Sequence, residues 1–140
     1  MKTMIRFTGI FCTLTVMLTA CSGNKENSDS AAWPELDAFH EIMADSFHPL
    51  KDENTLEPAK QKAEAMAQLA EKWAESDLPA KVANYNMKGM LRNLEINTRT
   101  FANSVAAGAS DEELAKALTS LHDEFHRIQE AWAGSSGEHH

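Results

Sequence analysis

Histidine and methionine side chains recur at helical spacing in two short segments of the chain. One segment, FHEIMADSFHPL, covers residues 39–50, and the other, LHDEFHRIQ, covers residues 121–129. Their candidate metal ligands are four histidines and one methionine: His40, Met43, His48, His122 and His126. Neutral imidazole and thioether are soft-to-borderline ligands that suit copper best and zinc next. The sequence therefore predicts a transition-metal site if the two segments meet in the fold.

The heights of these side chains decide whether they can meet, and an α-helix rises about 1.5 Å per residue. If the two segments lie on neighbouring antiparallel helices, His40 matches His126 in height, about 10–11 Å from one end of the bundle. Met43 matches His122, about 15–17 Å from the same end. His48 lies about 12 Å along the axis from His40, so we expect it in a second or outer site.

The directions of the side chains are less uniform than their heights. His40 and Met43 fall on the apolar stripe of their helix and are expected to point inward. His122 falls at the boundary of its stripe and His126 on a flank, and their four-residue spacing allows both to clamp one ion. A carboxylate is expected to complete or orient the site, from one of four residues: Glu41, Asp45, Asp123 or Glu124.

The same residues also have an ordinary structural interpretation. His40 would then be a hydrogen-bonded core histidine, and the other histidines would be solvated. The methionines would fill gaps in the core: Met43, Met66, Met87 and Met90. Both interpretations remain open at the level of the sequence.

Four helical patterns must position these side chains. They cover residues 33–48, 56–76 and 80–107, and a fourth begins near residue 111. Pro49 is expected to stop or kink the first helix. Ser110 and Glu113 form a capping box at the start of the fourth. No segment alternates with period two, and the connections are short, so we predict an all-α, up-down-up-down antiparallel four-helix bundle.

The N-terminal segment has the order of a secretory signal peptide, with a basic start, an apolar middle and small residues before the cleavage site. Its end, LTAC, resembles the lipobox of bacterial lipoproteins. That resemblance implies that Cys21 carries the lipid and that the protein is anchored in the bacterial cell envelope, with Ser22 favouring the outer membrane. We expect a signal peptide at 1–20, a flexible tether at 21–32, the bundle at 33–133 and a disordered tail at 134–140.

Charge and cysteine content exclude several function classes. The chain has 13 basic and 21 acidic residues and a formal net charge of −8, so nucleic acid and anionic membrane surfaces would repel it. Membrane attachment is therefore expected through the lipid on Cys21 alone. Cys12 would leave with the signal peptide, which removes any thiol for a disulfide, a metal or nucleophilic catalysis.

The segment LTSLHDEFHR resembles the haem-binding helix of cytochrome c-prime and of the b-type four-helix-bundle cytochromes. The resemblance places His122 on the ligand histidine, Phe125 on the aromatic residue, and Met43 or His40 near the ligand of the first helix. Leu118 and Leu121 stand where cytochrome c-prime has its two cysteines, so covalent haem attachment is excluded. This resemblance implies an electron-transfer protein that binds haem b, with Met43 and His122 as the ligands of the haem iron.

No catalytic motif is present in the sequence. It lacks a glycine-rich phosphate loop, a serine elbow and the H-E-x-x-H order of zinc proteases. The leading hypothesis is a non-catalytic, lipid-anchored bundle that holds, buffers or passes on copper or zinc, with a metal donor or acceptor protein as its partner. One alternative is the b-type haem protein, and the other is a structural or partner-binding bundle without a cofactor.

Overall fold

Four α-helices account for most of residues 32–134, the part of the chain that the computed structural model describes. The helices are α1 (Pro34–Glu53), α2 (Glu57–Glu75), α3 (Tyr85–Ala106) and α4 (Asp111–Gly134). Each helix packs against its neighbours in the chain, and α4 also packs against α1. Residues 32–134 contain no strand, so the predicted all-α, up-down-up-down four-helix bundle is confirmed.

One apolar stripe from each helix forms the core. In α4 the stripe recurs every three or four residues and is buried throughout: Leu114, Leu118, Leu121, Phe125 and Ile128. Full burial of one such side chain stabilises a fold by about 1.5–3 kcal/mol. Two polar residues are also buried, and each satisfies its hydroxyl within its own helix. Ser46 Oγ donates to the Ile42 carbonyl at 2.7 Å, and Thr98 Oγ1 donates to the Leu94 carbonyl at 2.8 Å.

The predicted capping box at the start of α4 is present. The Ser110 backbone N–H donates to Glu113 Oε2 at 3.0 Å, and the Glu113 backbone N–H donates to Ser110 Oγ at 3.3 Å. The Ser110 hydroxyl itself donates to the same carboxylate at 2.8 Å. These bonds satisfy backbone donors that have no partner within a helix.

The expectation that Pro49 stops α1 is wrong, because the helix continues to Glu53. Proline removes the hydrogen bond that its own N–H would give to the carbonyl four residues earlier, and its ring crowds that carbonyl. Its fixed φ is nevertheless compatible with a helix, so a helix can continue through it. The helix ends instead at Asn54, whose φ of 53° is left-handed. The Thr55 N–H closes the end by donating to the Pro49 carbonyl at 3.1 Å.

The third helix begins later than predicted. Residues Ala80–Val82 form a separate 3-10 turn, and α3 starts only at Tyr85. Asn84 is the effective N-cap, because its side-chain oxygen accepts from the Met87 N–H at 2.9 Å. The 3-10 turn has its own anchor, since Val82 is buried in the core.

Three tryptophans lie together at one end of the bundle, and we call Trp33, Trp73 and Trp132 the tryptophan cluster. The Trp33 ring centre is 5.1 Å from that of Trp73 and 5.1 Å from that of Trp132. Trp33 precedes α1, Trp73 lies near the end of α2 and Trp132 near the end of α4. Lys81 also joins this end, with Nζ 3.1 Å from the centre of the Trp132 ring. The cluster therefore ties three helices to one another.

Within residues 32–134, no helix is both long enough and apolar enough to cross a membrane. The predicted signal peptide, Cys21 and nearly all of the tether fall on residues 1–31, and the predicted tail falls mainly on residues 135–140. Both stretches lie outside the described residues.

Candidate metal centre

All five predicted ligands line one cavity of about 80 Å³ between α1 and α4. Two further residues complete its wall, Ala44 and Phe125. α1 and α4 run antiparallel, so side chains from early in α1 and late in α4 reach the same level. The bundle thus brings together the two segments that carry the histidines.

Two histidines of α4 make the closest contact in this cavity. Nε2 of His122 lies 3.0 Å from Nε2 of His126, and the rings are nearly perpendicular at 80°. Two imidazole nitrogens bound to one metal at about 2.0–2.1 Å lie about 2.9–3.4 Å apart when their angle at the metal is between a right angle and tetrahedral. The same separation also suits a hydrogen bond from one Nε2–H to the lone pair of the other nitrogen. The pair is therefore spaced for either a shared proton or a shared ion.

The His122 ring is held in place from two sides. It stacks on Phe47 of α1, with ring centres 3.8 Å apart and planes 15° from parallel. Its other nitrogen, Nδ1, lies 3.7 Å from Asp123 Oδ1. The stacking on Phe47 restricts the plane of the ring, and in this orientation Nε2 faces His126.

Protonation of His122 is disfavoured in the folded protein. Burial against its neighbours lowers the pKa of His122 below its ordinary value, and the positive charge of protonated His126 lowers it further. His48 acts in the same direction, whereas the neighbouring Asp123 carboxylate opposes the shift. A neutral imidazole is the form that binds metals.

Helix α1 contributes ligands of two kinds. Met43 is buried, at 1% exposure, and forms the floor of the cavity. His40 was expected to point inward but is exposed, and its ring stacks on Phe125 with centres 5.6 Å apart. Phe39, one position earlier, takes the interior place, and successive residues differ in direction by about 100°. His48, expected at another level, is also exposed and lines this same cavity.

A third ligand beside the His122–His126 pair requires a side chain to move. Among residues 32–134, no three side chains of histidine, cysteine, aspartate and glutamate converge as a metal-binding group. His40 and His48 are exposed, and exposed side chains change rotamer within picoseconds to nanoseconds. A third nitrogen would therefore have to come from His40 or His48 after a change of rotamer.

The expected carboxylates mostly serve other contacts. Asp45 Oδ2 accepts from Lys62 Nζ of α2 at 3.0 Å. Glu124 accepts from Asn97 Nδ2 of α3 at 2.6 Å. Asp123 lies beside His122, with 3.7 Å between its Oδ1 and His122 Nδ1. Phe47 was not predicted as a partner of His122, because this contact depends on how α1 and α4 are rotated against each other.

No protein-family model, curated protein or solved structure matches this chain. The resemblances to bacterial lipoproteins and to the haem-binding bundles therefore remain predictions from the sequence. Function has to be argued from the side chains of the cavity and from their chemistry.

A haem fits the cavity less well than a single ion does. Met43 and His122 both line it, as the haem hypothesis requires, but its volume is about 80 Å³. Pockets for organic ligands and cofactors hold about 300–1,000 Å³. A haem between these two residues would require α1 and α4 to separate, and the buried Met43 would have to leave the core.

Proposed function

We propose that this protein is a non-catalytic, lipid-anchored metal-binding bundle of the bacterial cell envelope. Its task is to hold or buffer a copper ion, or a zinc ion as the second choice, and to pass it to a partner protein. One observation carries the proposal: the 3.0 Å separation of the His122 and His126 Nε2 atoms at a cavity that two further histidines and a methionine line.

The donor set favours copper. His122 and His126 supply two imidazole nitrogens from one helix turn, and His40 or His48 supplies the third. Met43 offers a thioether at the floor of the cavity, and thioether ligands select copper(I) over harder ions. Zinc also accepts imidazole nitrogens, so it remains the second candidate.

The position of the cavity suits the transfer of an ion. His40, His48 and His126 are exposed, so the ion would remain accessible at the surface. A partner protein could replace these ligands one at a time, which avoids a barrier of complete dissociation. A buried site closed by rigid ligands would instead favour permanent retention.

A double-mutant cycle on the α4 pair tests the proposal. In titrations of the purified full-length protein with copper(I) and with zinc, His122→Ala and His126→Ala should each weaken binding more than tenfold, about 1.4 kcal/mol or more. The double variant should lose less than the sum, because the two residues serve one ion. Metal should also raise the melting temperature of the wild type, since it binds the folded state.

Three further variants sharpen the test. Glu130→Ala alters an exposed residue of the same helix and should bind like the wild type. His40→Ala and His48→Ala identify the third ligand, which is the residue whose replacement weakens metal binding more. If the His122 and His126 variants bind and melt like the wild type in the presence of metal, the proposal fails.

Protein purified from its own membranes distinguishes the ion from haem. Elemental analysis should give about one copper or zinc per chain, with no Soret band in the absorption spectrum. A Soret band would instead favour the b-type haem hypothesis. If the purified protein contains neither metal nor haem, the interpretation that remains is a structural or partner-binding bundle.

A further inference from the structure

A second cavity of about 240 Å³ lies between α3 and α4. Its α4 wall includes Ser120 and Glu124, which lie about 200° around the helix from His122. The cavity is therefore on the opposite side of α4 from the histidines and is independent of the proposed metal centre.

The lining of this cavity is mostly apolar, with polar groups at its rim. Phe101, Ala117 and Leu121 provide the apolar surface. The remaining lining residues carry amide, hydroxyl or carboxylate groups: Asn97, Thr100, Ser104, Ser120 and Glu124. Small-molecule sites commonly combine an apolar body with a few polar groups in this way. A volume of about 240 Å³ restricts the occupant to a molecule smaller than most drugs.

Glu124 is the charged group of the cavity, and only one of its two carboxylate oxygens is satisfied. Oε1 accepts from Asn97 Nδ2 at 2.6 Å. Oε2 is shielded from solvent and has no hydrogen-bond partner among the described residues. A carboxylate oxygen withdrawn from water without a donor is costly, so this site favours a ligand that supplies one.

The nearest cationic side chain on α4 does not fill this role. Arg127 shares a smaller neighbouring cavity with Glu124, of about 60 Å³, together with Met90 and Asn93. Within residues 32–134, no ion pair joins Arg127 to Glu124. Among the described residues, the negative charge of Glu124 thus has no cationic partner and is open to a bound cation.

We propose that this cavity binds a small organic molecule with a primary ammonium group and a short apolar body. The ammonium group donates to Glu124 Oε2. Because this oxygen is shielded from solvent in the structure, the Glu124 side chain must change rotamer for the contact to form. Its other N–H groups face the acceptors at the rim, the Ser120 hydroxyl and the Asn97 side-chain oxygen. The apolar body lies against Phe101 and Leu121.

The charges of the site select this class of ligand over two others. An anion would be repelled by Glu124 and by the acidic chain as a whole, with its formal net charge of −8. A neutral alcohol would fill the apolar part but would donate only an uncharged hydrogen bond, which is about half as strong as a charge-assisted one. Of these three classes, only an ammonium ion satisfies both the charge and the donor requirement.

Phenethylamine is a suitable probe, and 2-phenylethanol is its neutral counterpart with the same apolar body. The purified full-length protein, in metal-free buffer, is titrated with each compound and followed by ¹H–¹⁵N NMR. Phenethylamine should shift the side-chain amide signal of Asn97 and the backbone signals of Thr100 and Ser120. It should bind at least tenfold more tightly than 2-phenylethanol.

Two variants and one control complete the experiment. Glu124→Gln keeps the shape but removes the charge, and should weaken phenethylamine binding at least tenfold. Ala117→Leu fills the cavity and should weaken both compounds. Glu130→Gln, an exposed residue of the same helix, should bind like the wild type. Absence of phenethylamine shifts, equal binding of the two compounds, or wild-type affinity in Glu124→Gln would each overturn the proposal.

Discussion

His122 shows how a single side chain can be prepared for binding by its neighbours. Its face lies on Phe47, its Nδ1 lies near Asp123, and its Nε2 lies 3.0 Å from that of His126. Each contact limits rotation of the ring, and burial favours its neutral form. A histidine ligand that is already oriented and neutral reduces the free-energy cost of binding an ion.

The lowered pKa of His122 predicts how the stability of the metal-free protein depends on pH. The unfolded chain takes up this proton near pH 6.5, whereas the folded protein takes it up only at lower pH. The unfolded state therefore binds more protons between these two values, and the free energy of unfolding decreases as pH falls through that range. Urea denaturation at pH 7.5, 6.5 and 5.5 measures this slope. His122→Gln should reduce the slope, and an unchanged slope would contradict the argument.

Helical geometry made part of the candidate site predictable from the sequence. The rise per residue and the antiparallel topology fix heights, so it could be anticipated that His40 and His126, and Met43 and His122, lie at matching levels of one cavity. The direction of each side chain was harder to predict from the sequence, because His40 lies beside Phe39 and only one of the two can occupy the interior. The contact of Phe47 with His122 depends on how α1 rotates against α4, which no pattern within one helix records.

The helix boundaries depend on which side chain satisfies the first free N–H groups. α4 starts at a capping box that the sequence displays openly, with Ser110 and Glu113 three residues apart. For α3, the Asp77–Pro79 segment resembles a helix start, but Asn84 provides the actual cap. The two competing starts could not be ranked without the tertiary packing that buries Val82 and holds the 3-10 turn.

The side-chain caps at the starts of α3 and α4 predict that removing either one lowers stability by a similar amount. Ser110→Ala and Asn84→Ala should each lower the free energy of unfolding by about 1 kcal/mol, because a backbone donor at the helix start loses its partner. Asn86→Ala, two residues after Asn84 and inside the helix, is the control and should change stability by less than about 0.5 kcal/mol. Chemical denaturation measures all three. Equal effects of Asn84→Ala and Asn86→Ala would show that the cap does not set the start of α3.

At the scale of the whole molecule, charge and attachment are separate properties. The chain is acidic, with a formal net charge of −8, and no helix within residues 32–134 is suited to cross a bilayer. Under the proposed function, the acidic surface repels anionic headgroups while one lipid holds the bundle near them. The domain would then stand off the membrane, with its cavities open to soluble partners.

Cellular fractionation tests the anchor directly. Cys21→Ser removes the atom that would carry the lipid, so the variant should move from the membrane fraction into the soluble envelope fraction. Cys12→Ser is the matched control, because it changes the only other cysteine and leaves the lipobox intact. A Cys21→Ser protein that still sediments with membranes after a high-salt wash would refute the lipid anchor.

The tryptophan cluster also determines how the bundle responds to mechanical load. Trp33 is the residue at which the chain enters α1, and it is packed against Trp73 of α2 and Trp132 of α4. Tension applied through the preceding residues therefore loads the contacts of Trp33 with Trp73 and Trp132 before the first turn of α1 can separate. Trp33→Ala should lower the unfolding force measured with optical tweezers when the chain is pulled from its N-terminal side. An unchanged force would mean that the load bypasses the cluster, whereas a reduced one makes Trp33 the point at which a tethered domain resists being torn open.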